Sequence, residues 1–344
     1  ITMFRVSVGT PALSAFRLEK LRAALNDAAP GVAIADTRHW YFSALKGEVL
    51  GKAKAKLLDK VIGLGKTAGE LEETVVAGIG QVNVESLEEL KLLGAVAARL
   101  DRVTSVGIRV NPDVTTDTHP YISTSHGGIK FGVPHDQVRA AADYIRDHPY
   151  LCLTAVAMHL GSQLLDPAPY AEALGKLVGL VQALRAAGVS PLESLDIGGG
   201  LGIRYQPEAG PGMDPAALAA VVGPLAAEAG LPVTMEPGRF LVGSAGVLLT
   251  EVLYRKHSGG RDFVIVDAAM NDLLRPSLYK AHHEIVEVVP AGRPAGPVDV
   301  VGPICETGDF LALERTLPAV EPGERLAALC AGTTQSSAKA PRYM

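Results

Sequence analysis

Residues 153–202 read LTAVAMHLGSQLLDPAPYAEALGKLVGLVQALRAAGVSPLESLDIGGGLG, and this stretch decides the architecture. It opens on a short apolar strand, Leu153–His159, and continues through a helical pattern over Ala168–Ala187. It closes on a second strand, Ser194–Ile197, that runs into three consecutive glycines. Strand, helix and strand at this spacing form a βα unit with parallel strands. The alternation extends both ways. Further strands are predicted at Val32–Ala35 or Trp40–Leu45, and at Val61–Leu64, Val82–Val84, Ser105–Val110 and Val233–Glu236. Helical patterns fall at Ala68–Ala77, Ser86–Arg99, His135–Asp147 and Pro215–Ala229. Roughly seven or eight such units in series predict a (β/α)8 TIM-type barrel over residues 12–240 rather than an open doubly wound sheet.

After about residue 245 the period changes. Gly246–Lys256, Asp262–Asp267, His283–Val289, Asp299–Val301 and Phe310–Arg315 read as strands separated by Gly/Pro turns. Strands in runs after βα units imply a second domain, a β-sandwich or barrel-like one, drawn from 1–11 and 241–344. Lys52, Lys54, Lys56 and Lys60 form a small basic cluster, read as a solvated helix face.

The bulk properties exclude several classes. The 344 residues are 48% hydrophobic and 20% charged, enough for sizeable cores and too apolar for wholesale disorder. The net charge of −5 argues against nucleic-acid binding, which needs a basic face. The longest apolar run, 216–227, is broken by Gly223-Pro224, so neither a membrane span nor a leader is expected. The three cysteines, Cys152, Cys305 and Cys330, are too scattered for a disulfide framework, and a reducing, cytoplasmic setting is expected.

Barrel chemistry sits on loops after the carboxyl ends of strands, and the informative residues fall there. Asp196-Ile-Gly-Gly-Gly-Leu-Gly202 lets backbone amides approach a bound group, as a phosphate cradle requires; a tight turn with close helix–strand packing is the other reading. Glu236-Pro-Gly-Arg239 offers an anion Gly238 N–H and Arg239, while a buried Glu236 needs a cationic partner: a protonated pyridine nitrogen or an arginine. His159-Leu-Gly-Ser-Gln163 places an imidazole to stack on a flat cofactor and Ser162 to bond a phosphate; a satisfied core histidine is the alternative. Lys46 ends a predicted strand, where a lysine can form a Schiff base. Arg275-Pro-Ser-Leu-Tyr279 and Cys305-Glu306 suit an amino-acid terminus, an arginine for the carboxylate and a glutamate for the ammonium. No third ligand accompanies His282-His283 at metal spacing, so no metal is expected.

Taken in order, these segments resemble the fold-type III PLP-dependent decarboxylases. The resemblance includes Val8-Gly-Thr-Pro11, Gly65-Lys-Thr67, Asn83-Val-Glu-Ser86, Arg109-Val-Asn-Pro-Asp113, His119-Pro-Tyr-Ile-Ser-Thr124, Lys130-Phe-Gly132, the His159, Asp196, Glu236 and Arg275 segments, Asp267-Ala-Ala-Met-Asn-Asp272, and Gly302-Pro-Ile-Cys-Glu-Thr-Gly-Asp309. It covers most of the chain. The wording of the His119 and Arg275 segments favours members acting on meso-2,6-diaminopimelate, releasing CO2 and leaving L-lysine. Alternatives are a relative acting on ornithine, arginine, a D-amino acid or a carrier-bound glutamyl group, or a decarboxylase-like regulatory protein without activity.

The resemblance implies pyridoxal 5'-phosphate as cofactor and a homodimer with shared active sites. It implies that Lys46 carries the cofactor and that Glu236 pairs with the pyridine nitrogen. Ser162, Gly199, Gly200, Gly238 and Arg239 would surround the phosphate, and His159 would stack on the ring. Arg239, Arg275, Tyr279 and Glu306 would hold the substrate, with Cys305 of a second subunit as proton donor. Two departures stand out. Only 14 residues separate Lys46 from Val61, about one βα unit short of the family pattern. The family's Ala-Gly-Ala-Tyr segment reads Ala331-Gly-Thr-Thr334, and the chain stops where more strands are expected.

Overall fold

The computed structural model describes residues 4–7, 34–37, 60–114, 128–189, 191–206, 208 and 210–333. They fall into two units, one drawn from Ile1–Leu201 with Met213–Gly238 and the other from Gly202–Gly212 with Arg239–Met344.

In the first unit, β1 (Phe4–Ser7) pairs in parallel with β2 (Ile34–Thr37). The main sheet runs β3 (Val82–Val84), β4 (Thr104–Asn111), β6 (Leu151–Ala157), β7 (Ser194–Asp196), β8 (Val233–Thr234), all parallel, with β5 (Val133–Pro134) added to the end of β4. β3 is buried throughout and β6 nearly so, as parallel strands covered on both faces must be. Crossover helices α1 (Ala68–Ala77), α2 (Leu87–Arg99), α3 (Val138–Asp147), α4 (Ala168–Ala186) and α5 (Pro215–Ala229) alternate with these strands.

The helix ends are set by local chemistry. Thr67 and Glu70 form a reciprocal capping box at the start of α1, and Gly78 ends it at φ 65°. Asp214 caps α5, Pro215 sits in its first turn, and Gly230 closes it at φ 62°. Ser86 caps α2, whose Leu90, Leu93, Val96 and Ala97 form the buried stripe.

One expected strand does not form. Val61 makes a parallel bridge to Val82, but Gly63 and Gly65 turn the chain out of extended geometry at φ 108° and 76°. Lys66 then ties this loop down, donating to the Gly63 carbonyl at 2.6 Å, the Asn83 carbonyl at 2.7 Å and Glu89 at 2.7 Å.

The second unit is a six-stranded sheet in the order β11 (Ile285–Glu287), β14 (Arg325–Ala328), β9 (Leu248–Ser258), β10 (Arg261–Val266), β12 (Ala295–Val301), β13 (Phe310–Pro318). Only the β10–β12 pair is parallel. Val252, Val266, Leu273, Val300, Leu311 and Leu326 lie at its core. Two short helices, α6 (Gly238–Val242) and α7 (Leu274–Tyr279), flank the β9–β10 pair in the chain. The apolar period did not announce α7, because Pro276 stands inside it.

The triple glycine is a packing device. A Cβ on Gly199 would collide with the Glu236 carbonyl oxygen, and one on Gly200, at φ 103°, with that of Gly161. Gly199→Ala should therefore destabilise the fold by roughly 1–3 kcal/mol in urea unfolding. Gly175→Ala, on an open face of α4 with nothing near its Cβ, should instead stabilise it by about 0.5–1 kcal/mol.

Candidate functional site

The carboxyl ends of the parallel strands converge on a buried ion cluster. Lys60 precedes Val61, whose backbone is fixed by hydrogen bonds of 2.8 Å to Gln81 and 2.9 Å from Asn83. Its ammonium is bonded to Asp196 and lies 2.7 Å from Glu236 Oε1. Asp196 ends β7 and Glu236 follows β8 by two residues, so strand order sets the two carboxylates side by side. Asn83 Nδ2 and the Gly198 amide also donate to Asp196, at 3.2 and 3.0 Å. Lys60 is 4% exposed, so its place in a solvated basic face is corrected. Lys46, Lys52, Lys54 and Lys56 lie outside the described residues.

Burial works to lower the Lys60 pKa, but Asp196 and Glu236 together outweigh it and hold the group above its ordinary value. Burial raises the Asp196 pKa, against the pull of Lys60 and with the repulsion of Glu236. One cation thus serves two carboxylates. Glu236 Oε1 is buried and meets the Lys60 ammonium at 2.7 Å, an ammonium that Asp196 shares. Two buried carboxylates on one ammonium have room for a second cation.

Beside it, His159 Nδ1 accepts the Gly199 N–H at 3.1 Å, which leaves the ring proton on Nε2. Burial first, and the Arg109 charge second, push its pKa down to about 4, so it is neutral at pH 7. Arg109 donates to Glu85 at 2.7 Å, and the other Glu85 oxygen accepts Gly132 N–H at 2.9 Å. Tyr170 fixes the glycine turn from below, donating to the Gly199 carbonyl at 2.7 Å. The loop holding Ser162 is fastened to it by Leu164 N–H on the Gly200 carbonyl at 2.9 Å. Gly238 spends its own N–H on the Glu236 carbonyl at 2.8 Å, so it offers a ligand room rather than the donor its motif promised.

The second unit gathers positive charge. Arg239 donates to the Tyr205 hydroxyl, and the Arg275 guanidinium stacks 4.4 Å from the Tyr205 ring centroid. Arg275 Nη1 meets His283 Nε2 at 2.8 Å. Tyr279 ends α7. Cys305 and Glu306 stand exposed on the loop between β12 and β13, which Asp309 braces by accepting the Met270 and Ile304 amides at 2.6 and 2.7 Å.

Of the residues singled out from sequence, the first unit brings together His159, Gly199, Gly200, Glu236 and the Ser162 loop. The second gathers Arg239 and Arg275 around one tyrosine. Lys60, Tyr205 and His283 were not anticipated in these places. His283 was weighed only as half a metal site, and no cluster suited to a metal occurs among the described residues. The signal for Asp196 was its position at the head of the glycine turn; Lys60 gave none.

The pyridoxal-dependent decarboxylases, through their pyridoxal binding domain, match residues 60–243. The chain is 44% identical to a diaminopimelate decarboxylase of Aquifex aeolicus over 272 residues, 78% of this chain and 64% of that one. It is 45% identical to one of Neisseria meningitidis over 275 residues, 80% of this chain and 67% of that one. It thus spans about two thirds of the length of these relatives. Among solved structures, diaminopimelate decarboxylase from Helicobacter pylori complexed with L-lysine superposes with a TM-score of 0.75 at 38% identity, covering 80% of this chain and 68% of the other. The enzyme from M. jannaschii in co-complex with L-lysine gives 0.77 at 28% identity, covering 98% and 76%. The architecture is accordingly the TIM-type βα barrel followed by a β domain. With the pyridoxal-binding match over more than half its length, the chain belongs to the pyridoxal-dependent decarboxylase family.

Proposed function

We propose that this chain binds pyridoxal 5'-phosphate and decarboxylates meso-2,6-diaminopimelate to L-lysine. The observation that carries the cofactor assignment is the surplus negative charge of the Asp196 and Glu236 carboxylates, which share the one Lys60 ammonium inside the segment matching the pyridoxal binding domain. A protonated ring nitrogen is a second cation for that pair. The names of the relatives, and the lysine in the two structures above, support the substrate.

The residues fit that group. Glu236 would hold the proton at the ring nitrogen, and Lys60 keeps Asp196 neutralised beside it, so that the pair of carboxylates is not left facing one cation. His159, neutral and fixed by Gly199, would present its flat ring for stacking without adding charge. Ser162, Gly199, Gly200, Gly238 and Arg239 would surround the phosphate, the glycines by leaving space. When bound, the cofactor supplies an electron sink for the pair left on the α-carbon as the C–C bond breaks and CO2 departs.

The rest is positioning and proton transfer. Lys46 would anchor the cofactor covalently. Arg239, Arg275, Tyr279 and Glu306 would hold the non-reacting end of the substrate, a zwitterion that needs one cation and one anion. The proton that replaces CO2 on the α-carbon would come from Cys305 Sγ of a second copy of the chain, in a homodimer. The same reading divides the chain into a barrel over 12–240 and a β domain of 1–11 with 241–344, in a cytoplasmic protein that binds neither nucleic acid nor membrane.

The test is direct. Borohydride treatment of the pyridoxal phosphate-loaded chain, followed by peptide mass mapping, should place the cofactor on Lys46, and the untreated protein should release CO2 from meso-diaminopimelate. Trapping on Lys60 would reassign the anchor. Trapping with no CO2 from diaminopimelate, but release from ornithine or arginine, would reassign the substrate. Binding without any release would leave the regulatory reading. Separately, Glu236→Gln should weaken pyridoxal phosphate binding by about 10- to 100-fold in an equilibrium titration, since a neutral amide forfeits a charge-assisted hydrogen bond.

A further inference from the structure

Arg275 is held in an unusual way. It is 7% exposed, yet among the described residues no carboxylate pairs with it. Burial, and then the charge of Arg239, lower its pKa to about 10, which leaves it a cation at pH 7. A buried guanidinium ordinarily takes an acid as partner, because an uncompensated buried charge is costly. Here the partners are uncharged: His283 Nε2 at 2.8 Å and the face of Tyr205, with the ring centroid 4.4 Å away. Its Nε–H is buried and donates to no partner among the described residues.

His283 is built to stay neutral. It is fully buried, and its Nδ1 donates to the Leu329 carbonyl at 2.9 Å, so Nε2 is the bare nitrogen that accepts from Arg275. Burial pushes its pKa down to about 4; Arg275, Arg239 and His282 act in the same direction, against the Leu329 carbonyl. Arg315 bonds the His283 carbonyl at 2.9 Å, while Glu284 is engaged with His282 at 3.0 Å. Tyr205 completes the mount, edge-on to His283 with centroids 5.2 Å apart and bonded through its hydroxyl to Arg239.

We propose that His283 and Tyr205 are positioning residues that mount the Arg275 guanidinium without neutralising it, keeping its charge and its Nε–H for the carboxylate at the non-reacting end of the substrate. An acid at position 283 would hold the arginine as firmly but would consume the charge. The role rests on the substrate reading above, and it calls for a neutral acceptor, not a carboxylate, at position 283.

L-Lysine and 1,5-diaminopentane separate the two ideas, because they share both amines and differ by one carboxylate. Titrated into the cofactor-loaded full-length protein and followed by the cofactor absorbance, wild type should bind L-lysine more tightly. His283→Phe should erase about tenfold of that preference, the scale of one charge-assisted hydrogen bond, and leave diaminopentane binding unchanged. His283→Gln, whose amide can both accept from Arg275 and donate to Leu329, should retain the preference; His283→Glu should lose it. Tyr205→Leu should behave as His283→Phe does. The role is overturned if wild type shows no preference, if His283→Phe weakens both ligands equally, or if His283→Glu discriminates as wild type does. Failure to release CO2 from diaminopimelate, with the preference intact in wild type and lost in His283→Phe, would sink the reaction assignment alone.

Discussion

One buried ammonium facing two carboxylates is the constraint on which the first unit depends. Taking Lys60, Asp196 and Glu236 out of water costs several kcal/mol per ion, and their mutual attraction offsets this only when the remaining lone pairs are also met. Asn83 and the Gly198 amide do this for Asp196. Those partners come from separate strands or the loops that follow them, so the cluster exists only if β3, β7 and β8 are ordered and in register as observed. The same ends must approach closely, which is why residues 198–200 carry no side chains. The surplus negative charge is what a cationic ring can use.

The second unit solves the opposite problem. Among the described residues no carboxylate pairs with Arg275, and a neutral imidazole with an aromatic face holds it in place. An arginine fixed in this way resists the entropy cost of ordering a long side chain at the moment of binding, and its charge is not shared beforehand. The two clusters therefore carry complementary tasks, one suited to a protonated ring nitrogen and the other to a carboxylate. Histidines serve both for the same reason: with pKa values near 4, His159 and His283 act as shaped, neutral hydrogen-bonding groups at pH 7.

Where local chemistry decides, the sequence was legible. Helices over Ala68–Ala77 and Pro215–Ala229 could be read to the residue, because Thr67 with Glu70, Asp214 with Pro215, and the glycines at 78 and 230 mark their ends in the chain itself. The strand at Val82–Val84 was equally plain. Val61–Leu64 misled because its apolar content matched a strand while Gly63 and Gly65 imposed another backbone path. Helix Leu274–Tyr279 was hidden by its proline, and Arg325–Ala328 by its brevity. Lys60 was misread because its charge signals solvent, and only two carboxylates distant in sequence reverse that signal.

The alternation of strands and helices and the change to β runs were determined by sequence alone, since they rest on spacing, and residue type singled out Glu236, His159, the glycine turn and Arg275 as candidates. Tertiary structure decided which charges meet. Lys60 and Asp196 are 136 residues apart in the chain, and whether His283 is a ligand, a core residue or a mount for Arg275 depends on what stands opposite its two ring nitrogens. Electrostatic pairing is a matter of distance in space and of water excluded, and neither is written in the order of residues.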